Sequence, residues 1–245
     1  MLAPWNRRQP PAFKLITLQD IAPRCGAHLR NAKPRYIAIE GPIRAGKSSL
    51  AALLAQHLGA ERIAEPEDNP FLDHFYRGEQ GAAFAAQMWF LQARQQQMAA
   101  LTSPPQSQSI VADYLFEKDK LFACLNLSDA ELLTYNRAYQ ATVRPAIQPD
   151  LVVYLQASPR TLKARMRRKG LRMERRIADS YVEQVARAYE HFFFHYTASD
   201  LLVVNTDELD FVQNPYDLQL LLRRLQEPVR GTQYFLPLSR QAMRA

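Results

Sequence analysis

The chain of 245 residues is poor in cysteine, in long apolar stretches and in metal-binding patterns. Its two cysteines, Cys25 and Cys124, make neither a disulfide framework nor a metal site, and they fit a reducing interior such as the cytosol. No apolar run approaches the roughly 18–20 residues of a membrane span. His57, His74, His191 and His195 have no ligand spacing with another acid or cysteine, so each reads as a surface or packing histidine. Internal repeats are missing as well. Hydrophobic residues make up 47% and charged residues 22%, which leaves an ordinary globular chain, long enough for one large α/β domain.

The formal net charge of +7 raises the question of nucleic acid, and its distribution answers it. Residues 1–34 hold Arg7, Arg8, Lys14, Arg24, Arg30 and Lys33 against the single acid Asp20, so this segment carries +5 and the rest only +2. A nearly neutral body argues against duplex binding through a broad basic face. Pro4, Pro10, Pro11, Pro23 and Pro34 mark residues 1–34 as a basic, partly disordered arm, with a short ordered piece at Phe13–Ile21. Being Arg-rich and acid-poor, the arm resembles a mitochondrial transit peptide. It lacks serine, however, and its prolines interrupt any amphipathic helix, so the expected location is cytoplasmic.

What the chain does contain is Gly41-Pro-Ile-Arg-Ala-Gly-Lys47-Ser48, which fits the P-loop pattern G-x-x-x-x-G-K-[ST]. An apolar run, Tyr36–Ile39, precedes it and a helical run, Ser49–Ala55, follows, the context a phosphate loop requires. Glycine lets the backbone turn so that successive N–H groups face one anion, and the helix N-terminus adds its positive dipole end. The backbone from Gly41 through Ala45 and Gly46 to Ser49 would cradle the phosphates of a nucleoside triphosphate. Lys47 would reach the outer phosphates and Ser48 would hold Mg2+. Arg44 is bulkier than the small residues expected inside such a loop; it either meets a phosphate or points to solvent.

Further along, Arg62–Ala64 reads as a short strand ending at Glu65-Pro66, and residues 70–101 read as mostly helical, with Phe84, Met88, Leu91 and Met98 on one face. Thr102–Ser109 is a loop, Ile110–Ala112 a buried strand ending at Asp113, and Asp129–Thr142 a helix with Ser128 as its N-cap. Strands at Asp150–Leu155 and Leu201–Asn205 alternate with helices from Pro159, up to Tyr196 and over Asn214–Gln226. The Phe192–Phe194 run with Tyr196 reads as helix core. This alternation predicts a P-loop α/β three-layer sandwich over residues 35–228, with a roughly five-stranded parallel sheet, helices on both faces and an irregular tail at 229–245.

Ligands in such a sheet lie beyond the carboxyl ends of the strands. Glu65 and Asp113 stand there as carboxylates beside the P-loop, suited to completing a Mg2+ shell or to taking a proton from an attacking hydroxyl. From Arg160 to Arg176 nine basic residues surround one acid, Glu174. That density predicts a lid whose arginines neutralise charge on a transferred phosphoryl group and whose closure excludes water. The lone acid suggests a contact to a substrate hydroxyl.

From Tyr36 to Leu225 these residues resemble the deoxyribonucleoside kinase family, the group of deoxycytidine, deoxyguanosine and deoxyadenosine kinases. The P-loop, Glu65-Pro66, Tyr76, Gln87 with Arg94, Asp113, Asp119 and the lid carry the likeness. The resemblance implies that Glu65 is the base that receives the 5′-hydroxyl proton, and that Tyr76 and Glu174 hold the 3′-hydroxyl. It implies that Gln87 makes a bidentate amide contact to the base, with an Arg94–Asp119 pair beside it. This pair leans the substrate toward deoxyadenosine, deoxyguanosine or deoxycytidine. Arg165 and Lys169 fall at lid positions that contact ATP, with Arg165 and Lys47 catalytic, and Ser48 and Asp113 fall at the Mg2+ positions. A homodimer is implied too.

The chain departs from the family where an acid followed by Arg-Ser is usual. Here Tyr114 and Leu115 follow Asp113, so the charge beside the 5′-oxygen must come from Lys118, Lys120 or the lid. The expected activity is ATP- and Mg2+-dependent transfer of a phosphoryl group to the 5′-hydroxyl of a deoxyribonucleoside, most often a purine one. The expected partners are these small molecules, without nucleic acid or membrane. A nucleoside monophosphate kinase of the thymidylate kinase type, a P-loop regulatory protein without transferase activity, and nucleic-acid binding through the arm are the rival readings.

Overall fold

The structure, a computed structural model, describes residues 36–100, 109–142 and 147–237. The basic arm and nearly all of the Thr102–Ser109 loop lie outside the described residues. Six strands form one sheet: β1 (Tyr36–Glu40), β2 (Glu61–Ile63), β3 (Ile110–Ala112), β4 (Leu151–Gln156), β5 (Asp200–Asn205) and β6 (Thr232–Phe235). Their order is β2-β3-β1-β4-β5-β6, and every pairing is parallel. From β1 the chain runs outward to β2, returns through β3, then crosses to β4 on the other side. The order therefore reverses at β1, and the loop after β1 opens into the crevice where ligands gather in such sheets.

Side chains of the central strands divide between two apolar layers. Ile37, Ile39, Val153 and Leu155 meet Leu50 and Leu54 of α1 (Lys47–Leu58), with Leu162 of α6 (Pro159–Lys169) and Leu221 of α8 (Pro215–Gln226). Tyr36, Ala38, Val152 and Tyr154 meet Leu91 of α3 (Ala82–Ala100), Leu121 of α4 (Lys118–Asn126), Tyr135 of α5 (Asp129–Thr142) and Tyr189 of α7 (Asp179–Phe194). Leu50, at 0% exposure, is one of many such side chains, each stabilising the fold by roughly 1.5–3 kcal/mol. Among the described residues no helix is long and apolar enough to cross a membrane.

Several local expectations hold and several change. Ser128, just before α5, donates both its amide, at 2.9 Å, and its hydroxyl, at 2.6 Å, to the Glu131 carboxylate, the glutamate half of a capping box. The helical stretch expected over 70–101 is two helices, α2 (Leu72–Tyr76) and α3, because Gly78 and Gly81 adopt left-handed φ of 72° and 75° between them. Phe192, Phe193 and Tyr196 are core, but Phe194 points out and is 80% exposed. The tail is not irregular throughout: β6 adds a sixth strand beside β5, anchored by Gly231 N–H to Asp200 at 2.7 Å. Thr232–Phe235 alternates exposed and half-buried residues at a sheet edge, so it lacks the apolar run by which the inner strands are read.

Candidate active site

The loop between β1 and α1 is shaped by two close approaches. A side chain at Gly41 would meet the Leu155 carbonyl at 2.6 Å, and one at Gly46, where φ is 108°, would meet Phe211 Cζ at 2.7 Å. Lys47 folds back onto the loop, donating to the Gly41 carbonyl at 2.7 Å and the Pro42 carbonyl at 3.2 Å. Burial lowers its pKa, and the neighbouring charge of Lys118 lowers it further, against the pull of Glu40, Glu65 and Asp113. Ala45 is buried, Ser49 half-buried, and Ser48 exposed at the start of α1.

Glu40, the last residue of β1, is 1% exposed. Its carboxylate accepts from Gly41 N–H at 2.8 Å, Leu115 N–H at 2.8 Å and Tyr189 O–H at 3.0 Å. It thereby ties the root of the phosphate loop to the segment after β3 and to α7. Sequence reading passed it over, although an acid closing an apolar strand directly before a P-loop glycine was the available signal.

Glu65 lies beyond β2 and faces two cations. Lys118 Nζ is 2.8 Å from Oε1, and Arg94 donates to the same oxygen at 2.6 Å. Burial alone would raise the Glu65 pKa, but Lys118, then Arg94 and Lys47, outweigh it and hold the carboxyl well below the usual carboxylate range. Lys118 is thus a buried cation directly on Glu65, in the segment that follows Tyr114. Tyr114 is buried and directs its hydroxyl to Gln97 Oε1 at 2.9 Å. Lys120 places its ammonium 4.6 Å from the centre of the Tyr139 ring.

Arg94 continues from Glu65 to Asp119, donating to Oδ2 at 2.5 Å. Asp119 is fully buried and also accepts from Tyr135 O–H at 2.9 Å and from Gln87 Nε2. Gln87 Nε2 donates as well to the Asp119 backbone carbonyl at 2.9 Å. This alters the expected bidentate contact: both amide N–H directions go to Asp119, a stronger acceptor in a buried setting, and the carbonyl oxygen is what Gln87 has left to offer. Arg94 Nε is buried without a partner, so one donor of this network stays unsatisfied by protein. Tyr135, which sequence reading took as part of a helix only, completes the set.

Asp113 is also at odds with its expected role. Its Oδ2 accepts from Arg62 at 3.1 Å, and its Oδ1 from the Glu65 backbone N–H. Both oxygens thus fix the end of β2, and with it Glu65, instead of facing a metal ion or a nucleoside. Ser48 is exposed at the start of α1, whereas each Asp113 oxygen already accepts a hydrogen bond from protein.

The basic segment splits in two. Ser158 caps α6, with Pro159 as its first residue, and Gly170 ends it in a left-handed turn, φ 69°. Arg165 does not reach Glu65: it donates to the Ala45 carbonyl at 3.2 Å and to Thr206 Oγ1 at 3.0 Å, fastening α6 to the phosphate loop and to the segment after β5. Lys169 is exposed in the last turn of α6. Arg168 and Arg176 pair with Asp210 and Asp73, respectively. A cleft of about 680 Å³ opens between α6 and the loop after β5, lined by Arg160, Arg165, Arg168, Asp207 and Asp210. Three of its lining residues, Arg160, Arg165 and Arg168, belong to the basic segment that stands out in the sequence.

Beyond α6, Glu174 sits in a 3-10 turn and is 9% exposed. Arg44 is half-buried and its Nε donates to Glu174 Oε2 at 2.9 Å. Tyr76 is half-buried close by; burial, then the Glu174 and Glu65 charges, push its phenol up to about 12. The fold thus joins Glu65, Lys118, Arg94, Asp119 and Gln87 in one network, places Tyr76, Glu174 and Arg44 together, and fastens Arg165 to the phosphate loop at Ala45.

Comparison with known proteins gives a consistent result. A sequence model of the deoxynucleoside kinase family matches residues 37–230. A deoxyguanosine kinase of Bacillus subtilis is 35% identical over 199 residues, covering 78% of this chain and 96% of that protein. A deoxyadenosine kinase of Lactobacillus acidophilus is 30% identical over 211 residues, covering 80% and 97% respectively. The solved structure of a deoxyadenosine kinase from M. mycoides with bound dATP is 28% identical, with a TM-score of 0.68, and covers 78% of this chain and 100% of that one.

Proposed function

Because the chain belongs to the deoxynucleoside kinase family, we propose that it transfers the terminal phosphoryl group of ATP to the 5′-hydroxyl of a purine deoxynucleoside. The relatives are named for deoxyguanosine and deoxyadenosine, which supports a purine acceptor. The observation that carries the reading is Glu65, a carboxylate held ionised by Lys118 and Arg94 at the junction of the phosphate loop and the Gln87–Arg94–Asp119 network.

In this reading Lys47 and the loop amides hold the donor phosphates, and Ser48 holds Mg2+ with them. Mg2+ supplies neutralisation of phosphate charge when bound. Arg165 keeps α6 and its cleft in place for the rest of the donor. Glu65 orients the 5′-hydroxyl and takes its proton. A carboxylate of depressed pKa is a weak base, which suits a loose transition state in which that proton leaves late. Lys118, beside Glu65, faces the 5′-oxygen as charge develops on it. Arg94 Nε, buried without a protein partner, and the Gln87 carbonyl oxygen offer one donor and one acceptor to the edge of a base. Tyr76 and Glu174 bind the 3′-hydroxyl. Lys118 also removes the main argument for a non-catalytic regulatory protein, which was the charge missing at Tyr114. A homodimer is the proposed assembly, measurable by sedimentation.

The test is initial-rate phosphoryl transfer from ATP–Mg2+ to each of the four deoxynucleosides, with ribonucleosides and nucleoside monophosphates in parallel. Turnover of a purine deoxynucleoside well above the others is expected. Transfer to monophosphates alone would replace this reading with the thymidylate kinase type.

A further inference from the structure

Arg44 stands apart within the phosphate loop. Among the described residues it is the one non-glycine residue with positive φ, at 62°. An L side chain is disfavoured in that region and glycine is not, so the loop holds Arg44 in a conformation where a side chain has to be compensated. The compensation visible in the structure lies wholly in one contact. Nε donates to Glu174 Oε2 at 2.9 Å, and Nη2 pairs with Oε1, the two-pronged fit of a guanidinium on a carboxylate. Glu174 is 9% exposed and is the single acid between Arg160 and Arg176, so its geometry is set by this partner more than by water. Tyr76 shares the neighbourhood, since both Glu174 and Arg44 act on its phenol. The cations facing Glu65 are others: Lys118, Arg94 and Lys47.

We propose that Arg44 is a positioning residue of the acceptor site, fixing the orientation of the Glu174 carboxylate so that Glu174 and Tyr76 together read the 3′-hydroxyl of the sugar. This rests on the assignment of Glu174 and Tyr76 to the 3′-end made above. Its consequence is that the phosphate loop, a donor element, also sets how strictly the enzyme demands a 3′-hydroxyl. A side chain in the loop and a carboxylate in the segment after α6 form one reader, and neither element suffices alone.

The experiment compares the preferred deoxynucleoside with its 2′,3′-dideoxy counterpart in wild type, Arg44→Gly and Arg44→Lys. Wild type is expected to prefer the 3′-hydroxyl. In Arg44→Gly that preference falls by about tenfold, the size of one charge-assisted hydrogen bond, with KM raised for the deoxynucleoside and KM for ATP within about twofold of wild type. Thermal stability of this variant falls only in part, because the backbone angle that glycine accepts offsets some of the loss of the Glu174 pair. Arg44→Lys, a point charge without the fork, restores part of the preference. A raised KM for ATP with the 3′ preference intact in Arg44→Gly would make Arg44 a donor-phosphate residue and overturn the proposal alone. Equal use of the two nucleosides by wild type would overturn the assignment of Glu174 itself, and the proposal with it.

Discussion

Replacing Lys118 with methionine removes one charge and keeps most of the side-chain volume. Nζ lies 2.8 Å from Glu65 and 3.7 Å from Glu40, and the residue is only 4% exposed, so bulk water cannot take its place. Removing one partner of a buried pair costs about 3–5 kcal/mol. Three circumstances lower that here. Arg94 remains on Glu65 at 2.6 Å. Glu40 keeps its bonds from Gly41, Leu115 and Tyr189. Lys47 loses a like charge that disfavours its ammonium. The expected loss is therefore about 2 kcal/mol, a fall in Tm of roughly 4–8 °C for a domain of this size. Turnover should suffer more. A donor aimed at developing negative charge is worth about 10²–10³ in kcat. The pH profile should move as well. Burial raises the Glu65 pKa and Lys118 is the largest influence opposing it, so its loss moves the carboxyl upward and brings an acid limb into the profile at higher pH than in wild type. Initial rates from about pH 5 to 9, with melting curves on the same preparations, measure all three effects. Turnover within threefold of wild type together with an unmoved acid limb would refute the placing of Lys118 beside the reacting oxygen.

Glu65→Gln should keep nucleoside binding, measured by calorimetry, and lose about 10² or more in kcat; near-normal turnover removes its role as base. The same variant tests stability against pH. A carboxyl held low in the fold stabilises fully above its unfolded pKa, about 4.3, and that contribution is lost as pH falls toward the lower folded value, so the variant's melting temperature should decline less steeply below about pH 4. Gly46→Ala places a methyl 2.7 Å from Phe211 Cζ at a φ of 108°, and should cost about 2 kcal/mol or more and weaken stabilisation by ATP; an unchanged melt with and without ATP contradicts that geometry. Tyr135→Phe removes the hydroxyl that donates to Asp119 at 2.9 Å, and should cost about 1–2 kcal/mol and blur selectivity among bases at constant KM for ATP; unchanged selectivity leaves Tyr135 a packing residue.

The elements most open to sequence reading were those whose signal is local. The P-loop is a contiguous pattern, the inner strands are apolar runs, and α5 begins at a capping pair, so each shows without knowledge of the fold. Glu65 and Asp113 were legible as strand-end carboxylates, but their duties were not. Asp113 turns both oxygens to Arg62 and the Glu65 backbone because β2 pairs with β3, a neighbourhood set by sheet order. Lys118 and Asp119 sit in an alternating Glu-Lys-Asp-Lys stretch that looks like a solvated helix face, yet both are buried, since their partners arrive from β1, β2 and α3. Arg44 could not be paired with Glu174 from sequence, being 130 residues away from it. The strand at Thr232–Phe235 escaped because an edge strand needs only one apolar neighbour.

Glu40 bears on more than the anchoring of three segments. It places a buried acid at the root of a loop shaped to receive anions, so the positive field there has to come from the loop amides and Lys47. Lys118 is an ammonium within reach of both Glu40 and Glu65, so the anchor of the loop and the acceptor carboxylate share one cation.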